Sequence, residues 1–206
     1  GGSPASDVPL SPQDHAQDLV AFCDRHGLES VIAIGCAVGA MMVAALAARR
    51  PDLVEALVLS NPGHRIVDPG RSALAARASA ARGGGMTAII PAATDAAFLG
   101  QPDDERKAAY VARFAAQNPA AYARQIEGML DADISGDLDA ITCPTLIIAG
   151  GMDRLLPAQH AEAIHAGLAG STLVRFEDGA HFIPYQQPAR FAHTVMDFLG
   201  ESGHRA

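Results

Sequence analysis

The chain has 206 residues, 49% of them hydrophobic, and a formal charge of −8. That is enough for one sizeable core, and the scattered acidic residues argue against nucleic acid or an anionic membrane as partner, since both want a basic surface. No run reaches the roughly 18 consecutive apolar residues of a membrane span: the most apolar, Val31 to Ala48, is interrupted by Gly35 and Gly39, and the three cysteines, with no CxxC spacing, suit neither a disulfide framework nor a zinc site.

Reduced thiols predict a cytoplasmic protein. Gly1-Gly2-Ser3-Pro4 has neither the basic nor the apolar region of a signal peptide. Ser11-Pro12-Gln13-Asp14 reads as a helix start, with Ser as cap and Pro at the first helical position. Ala16, Leu19, Val20, Phe22 and Cys23 follow at helical spacing, and Gly27 stops the helix. Ser30 to Ile34 is a short β-branched run, predicted as a strand buried on both faces. It ends at Gly35-Cys36-Ala37-Val38-Gly39, and a helix from Ala40 to Arg50 follows at once. Ala56 to Ser60 is a second buried strand, and Asn61-Pro62-Gly63 a turn.

The texture then changes. Residues 64–139 are Ala-rich and helical, broken at Gly83-Gly84-Gly85, Gly100-Gln101-Pro102 and Asn118-Pro119, and carry no strand pattern. They predict an inserted cap of about four helices. Residues 1–63 and 140–206 form the core around it. Strands at Thr145–Ala149 and Thr172–Phe176 alternate with helices at Pro157–Gly167 and Pro188–Leu199. The fold class is therefore α/β, with a parallel sheet flanked by helices and right-handed crossovers.

A strand that turns straight into a helix between two glycines predicts a nucleophile elbow, with Cys36 as the nucleophile. Side chains at positions 35 and 39 are expected to collide with strand and helix. The positive end of the helix dipole is expected to favour the Cys36 thiolate, and the Ala37 N–H to be an oxyanion donor. A lone Cys in an apolar stretch is ordinarily a small buried hydrophobe; the strand–helix junction is what argues otherwise. Among eight histidines only His64 and His181 follow strands, and only His181 is preceded by a loop of small residues, Asp178-Gly179-Ala180. Asp153 follows the third strand and would orient the His181 ring. The order nucleophile, acid, histidine completes a Cys-His-Asp triad. Cys23 and Cys143 read as structural, and Phe98 and Met152 as candidates to line the substrate pocket.

Gly35 to Gly39, Leu57-Val58-Leu59-Ser60-Asn61, Cys143 to Gly150, Met152-Asp153 and Gly179-Ala180-His181 together resemble the α/β-hydrolase superfamily, over nearly the whole chain. Ala80 to Met86 and Tyr122 through Ile134 resemble the cap of the 3-oxoadipate enol-lactonases. The resemblance implies cofactor-free hydrolysis of a small activated ester or lactone through an acyl-enzyme. It also implies an acidic substrate, for which Arg65, Arg71, Arg77 or Arg82 would supply the cation.

Three departures stand out. That family carries Ser at the elbow. It tends to carry Trp near Ala97-Phe98. Its members begin with four further strands, which supply the second oxyanion donor; Gly1-Gly2-Ser3 resembles the loop after the fourth. The sequence therefore predicts an unpaired apolar sheet edge, completed by a missing N-terminal segment or a companion chain. Two alternatives stay open: a catalytically silent fold that binds a small ligand, and acyl-transfer or lyase chemistry on the same triad.

Overall fold

The computed structural model describes residues 4–203, so Gly1-Gly2-Ser3 and the last three residues lie outside the described residues. The first helix, α1 (Pro12–Arg25), starts where the sequence places it. The Ser11 hydroxyl accepts the Asp14 N–H (3.2 Å) while the Asp14 carboxylate accepts the Ser11 N–H (2.8 Å). This reciprocal cap satisfies two donors that the helix cannot, and such a cap contributes about 1 kcal/mol. Ala16 and Cys23 are buried, with Leu19 and Val20 packed beside them.

Four strands follow: β1 (Val31–Cys36), β2 (Val54–Ser60), β3 (Thr145–Gly150) and β4 (Thr172–Phe176). They pair in that order, all parallel, with Cys36 opposite Ser60, Ser60 opposite Ile148 and Gly150 opposite Phe176. Period-two alternation splits the strands between two cores. Leu57, Leu59, Ile147 and Ala149 pack against α1, α2 (Val38–Arg49) and α7 (Gln159–Gly167). Ala56, Val58, Leu146, Ile148 and Phe176 pack on the opposite face against α9 (Pro188–Glu201) through Val195, Phe198 and Leu199.

One expectation fails here. β1 is buried on one face only: Ala33 is covered, but Ile32 and Ile34 are 38% and 48% exposed. The apolar cluster that α9 makes takes in residues of β2, β3 and β4 and none of β1. Among the described residues β1 pairs with β2 alone, so it is an edge strand. No helix of the described residues is long and apolar enough to cross a membrane.

Between β2 and β3 the chain forms four α-helices, α3 (Gly70–Gly84), α4 (Ile90–Ala97), α5 (Glu105–Ala115) and α6 (Pro119–Gly128), with two single 3-10 turns among them. Their ends follow local chemistry. Gly85 sits at φ +71 after α3, the Asp104 carboxylate caps α5, and Asn118 with Pro119 opens α6. These helices keep a small core of their own around Met86, Ile89 and Phe114, flanked by Tyr110 and Tyr122. The two ends of the insert are tied by an isolated antiparallel bridge between Arg65 and Asp133, which the sequence did not signal. Ile66 N–H donates to Ala132 O (2.8 Å) and Ile134 N–H to His64 O (3.0 Å) there. After β4 a short helix unforeseen in the sequence, α8 (Ile183–Gln186), closes the loop that carries His181.

Candidate active site

In a parallel sheet the carboxyl ends of the strands open onto the loops, and sites gather there. The ends of all four strands converge at one place. β2 delivers Ser60 and Asn61, the loop after β3 delivers Asp153, and the loop after β4 delivers His181.

Asp153 and His181 form a tight buried pair. His181 Nδ1 lies 2.9 Å from Asp153 Oδ2, and the Asp153 side chain is 0% exposed. A carboxylate can only accept, so Nδ1 carries the hydrogen and Nε2 keeps its lone pair. The carboxylate is held from four directions. Oδ1 accepts the Leu155 and Leu156 N–H groups (2.8 and 3.0 Å), and Oδ2 accepts Asn61 Nδ2 (3.0 Å) in addition to His181. The His181 backbone is fixed as well, its N–H donating to Ala97 O (3.3 Å) in the insert.

The elbow itself requires a correction. Of the three residues between Gly35 and Gly39, the middle one is Ala37, and Ala37 adopts the strained conformation of the bend, φ 54 and ψ −120. Cys36 is still the last residue of β1. A methyl group, not a thiol, therefore occupies the apex. The close approach expected at Gly35 is real: a Cβ there would run into the Gly39 carbonyl and come within 2.6 Å of Val43 Cγ2. At Gly39 a Cβ would meet nothing within 4 Å, so that glycine is not demanded by space.

Cys36 points elsewhere. It is half-buried, and its thiol donates to the His181 backbone carbonyl (3.8 Å). Burial pushes this thiol up to about 12, the nearby Asp153 charge adds to the rise, and a hydrogen bond with Ser60 only partly opposes it. The expected thiolate is therefore not favoured. Taking the sulfur out of water disfavours its charged form, and that is the largest cause of the rise. Ala37 is not a free oxyanion donor either, because its N–H is taken by Ser60 O (2.9 Å). The N–H groups of Val38 and Gly39, the first residues of α2, have no acceptor within their own helix and sit at the bend.

The remaining candidates are scattered. Phe98 is buried at 5% exposure, its ring 6.4 Å from Phe182, which in turn stacks edge-on to His181 at 4.5 Å. Phe98 thus lies one ring away from the imidazole. Met152 anchors the β3 loop through its N–H to Gly179 O (2.9 Å), with its thioether against Gly100 of the insert. Arg71 pairs with Asp131 (2.9 Å) and Arg82 with Glu127 (2.7 Å), so both cations already have partners. Arg65 belongs to the bridge that closes the insert, and Arg77 lies beside Tyr110 and Tyr122. The His64 backbone N–H donates to His160 Nδ1 (3.2 Å), and burial, with His64 adding to it, holds the His160 imidazole below its ordinary value. Cys23 is buried in the core, and Cys143 is half-buried against it. The described residues contain no cluster of three or more His, Cys, Asp or Glu able to hold a metal.

Sequence reasoning missed Asn61 and Ser60, reading them as a strand end and a turn. An Asn in a left-handed conformation (φ 48) was foreshadowed only by the Pro-Gly that follows it.

Known proteins bear on this site. The family described as "Alpha/beta hydrolase family" matches residues 1–194. A protein of Klebsiella pneumoniae (strain 342) named as a carbamate hydrolase, RutD, is 30% identical over 192 residues, 89% of this chain and 71% of that protein. 3-Oxoadipate enol-lactonase 2 of Acinetobacter baylyi is 26% identical over 203 residues, 94% of this chain and 74% of the relative. The crystal structure of the enol-lactonase from Burkholderia xenovorans LB400 superposes with a TM-score of 0.87 at 27% identity, over 97% of this chain and 77% of that one. Strand order, elbow geometry and these similarities agree: the chain belongs to the α/β-hydrolase family.

Proposed function

We propose that this chain hydrolyses a small activated acyl compound (a carbamate, an ester or an enol-lactone) with water as the nucleophile and the Asp153–His181 pair as its general base. The observation that carries the reading is the methyl of Ala37 at the apex of the bend, at the same end of the sheet as a His–Asp pair whose carboxylate accepts four hydrogen bonds. An apex without an Oγ or Sγ has no group to acylate. An oriented imidazole with a free Nε2 can still take a proton from water.

Water then attacks the substrate carbonyl, and the Val38 and Gly39 N–H groups at the positive end of α2 stabilise the oxyanion. The imidazolium returns its proton to the leaving group as the tetrahedral species collapses. The helices between β2 and β3 act as a cap, with Phe98 and Met152 at its seam against the strand ends; they bound the side of the site toward the insert. The substrate classes come from the names of the relatives, a carbamate hydrolase and enol-lactonases, and from the family's chemistry. Cys36, expected as nucleophile, takes on a supporting role beneath the His181 carbonyl.

A second reading, a binder without turnover, draws on the same methyl. A binder has no use for an imidazole fixed in one tautomer, and that favours the hydrolase.

The test is a panel of p-nitrophenyl esters, p-nitrophenyl carbamates and enol-lactones against wild type, Cys36→Ala and His181→Ala. The proposal expects turnover that survives Cys36→Ala and falls by about 10²–10⁴ in His181→Ala. Loss of turnover in Cys36→Ala with a folded protein would restore the thiol as nucleophile. A wild type inert toward every class, yet stabilised by one of the compounds, would support the binder.

A further inference from the structure

The mechanism uses Asp153 and His181 but leaves unexplained a buried amide that touches both of their loops. Asn61 is 2% exposed. Its Nδ2 donates one hydrogen to Asp153 Oδ2 (3.0 Å) and the other to Ala180 O (2.9 Å), the carbonyl of the residue before His181. Its Oδ1 accepts the Ser60 hydroxyl (3.1 Å), and its own backbone N–H donates to Ile148 O (2.7 Å) on β3. One side chain at the end of β2 thus ties the loop after β3 to the loop after β4.

We propose that Asn61 is a positioning residue of the active site: it sets the separation and orientation of Asp153 and His181 by bridging the Asp153 carboxylate and the Ala180 carbonyl. The inference rests on the Asp153–His181 general-base reading and deepens it. Three features support the assignment.

First, the amide orientation is determined by its surroundings. The Asp153 carboxylate and the Ala180 carbonyl can only accept, so Nδ2 faces them and Oδ1 is left to accept the Ser60 hydroxyl; a flipped amide would set an oxygen against both acceptors at once. Second, the neighbouring backbone makes room for it. A Cβ on Gly150 would lie 2.8 Å from Asn61 Nδ2 and 2.6 Å from Ala180 O, so a side chain there would drive the bridge apart. Third, Asn61 adopts φ 48, a left-handed conformation that a β-branched or bulky residue resists and Asn tolerates. That turn aims the side chain across the strand ends instead of along β2.

The bridge acts on catalysis through angle and distance. The Nδ1–H···Oδ2 bond of His181 keeps Nε2 pointed at the attacking water, and Asn61 fixes both of its ends. Releasing one end lets the imidazole drift, and displacements of about 1 Å in such sites cost on the order of 10²-fold.

Asn61→Gly removes the amide while keeping a residue that is at ease at φ 48. Two readouts are taken on the intact protein: kcat and KM on the substrate the panel identifies, and the far-downfield proton signal of the His181 Nδ1–H, assigned by its absence from His181→Ala. The expected result is a fall in kcat of about 10- to 100-fold with KM little changed, a shifted or broadened His181 signal, and partial recovery of both when acetamide is added to fill the vacated amide site. Ser60→Ala, which removes the hydroxyl that Oδ1 accepts and so loosens the amide, should move the same signal in the same sense by less. A His181 signal that stays in place in Asn61→Gly, or a kcat equal to wild type, overturns the proposal. The proton signal is read without turnover. A wild type that hydrolyses nothing while its signal depends on Asn61 would defeat the proposed reaction and still uphold the bridge.

Discussion

Asp153→Asn offers a demanding test of the proton chemistry, because the structure dictates how the new amide must sit. The carboxylate accepts four hydrogen bonds, two on each oxygen, in a pocket with no exposure to solvent. An amide has one oxygen and one NH2. If the oxygen stays with the Leu155 and Leu156 N–H groups, the NH2 faces Asn61 Nδ2 and His181 Nδ1. The imidazole relieves that clash by accepting at Nδ1 and placing its proton on Nε2, which abolishes the base. If the amide turns the other way, two half-buried backbone donors lose their acceptor, at about 1 kcal/mol or more each. The first arrangement is the cheaper one and is catalytically dead, so kcat/KM should fall by about 10³–10⁴, equivalent to about 4–5.5 kcal/mol of transition-state stabilisation. Steady-state kinetics on the substrate from the panel give the loss, and a thermal melt run alongside confirms that the variant folds. A folded Asp153→Asn within about tenfold of wild type would refute the assignment of Asp153 as the group that fixes the His181 tautomer.

Cys36 should resist iodoacetamide near neutral pH and become reactive only as pH climbs from 9 toward about 12, which mass-resolved alkylation would follow. The folded thiol keeps its proton above the ordinary value of 9.0, so the unfolded chain ionises first. This group therefore stabilises the fold below pH 9 and ceases to do so as pH rises toward 12, and Cys36→Ala should flatten the alkaline decline in Tm. Gly150→Ala should lower stability by about 1–3 kcal/mol, read as a drop in Tm, because its Cβ would press on Ala180 O (2.6 Å) and Gly179 O (2.7 Å). Activity should fall further than that, since the same contact pushes His181 away from Asp153.

Most of the architecture could be read from the residues because it rests on short-range patterns. Apolar β-branched runs gave β1, β2, β3 and β4, Ser11-Pro12 gave the start of α1, and the Gly and Pro breaks marked the insert. β1 was misjudged on one face because an apolar run reports only what each residue prefers. Whether a helix covers Ile32 and Ile34 depends on the rest of the sheet. α8 leaves no sequence signal because four residues carry no periodicity.

At the site, His181 and Asp153 were legible from strand-end position and loop composition. The elbow is legible too from its two glycines, but its only thiol stands one residue before the apex. Three residues separate Gly35 from Gly39, and the middle one is Ala37. The bend follows the backbone spacing whatever side chain stands there. Asn61 was hidden for the opposite reason: Asn-Pro-Gly is an ordinary turn sequence, and only the three-dimensional convergence of β2, β3 and β4 makes its amide a bridge.

The question of what attacks the substrate is settled most directly by intact-mass spectrometry of the wild-type protein during turnover of an activated ester, with Ala37→Ser in parallel. If water is the nucleophile, the wild type carries no acyl adduct at any time, while Ala37→Ser, which places a hydroxyl at the apex, accumulates one on residue 37. An acyl group trapped on Cys36 of the wild type would contradict the account.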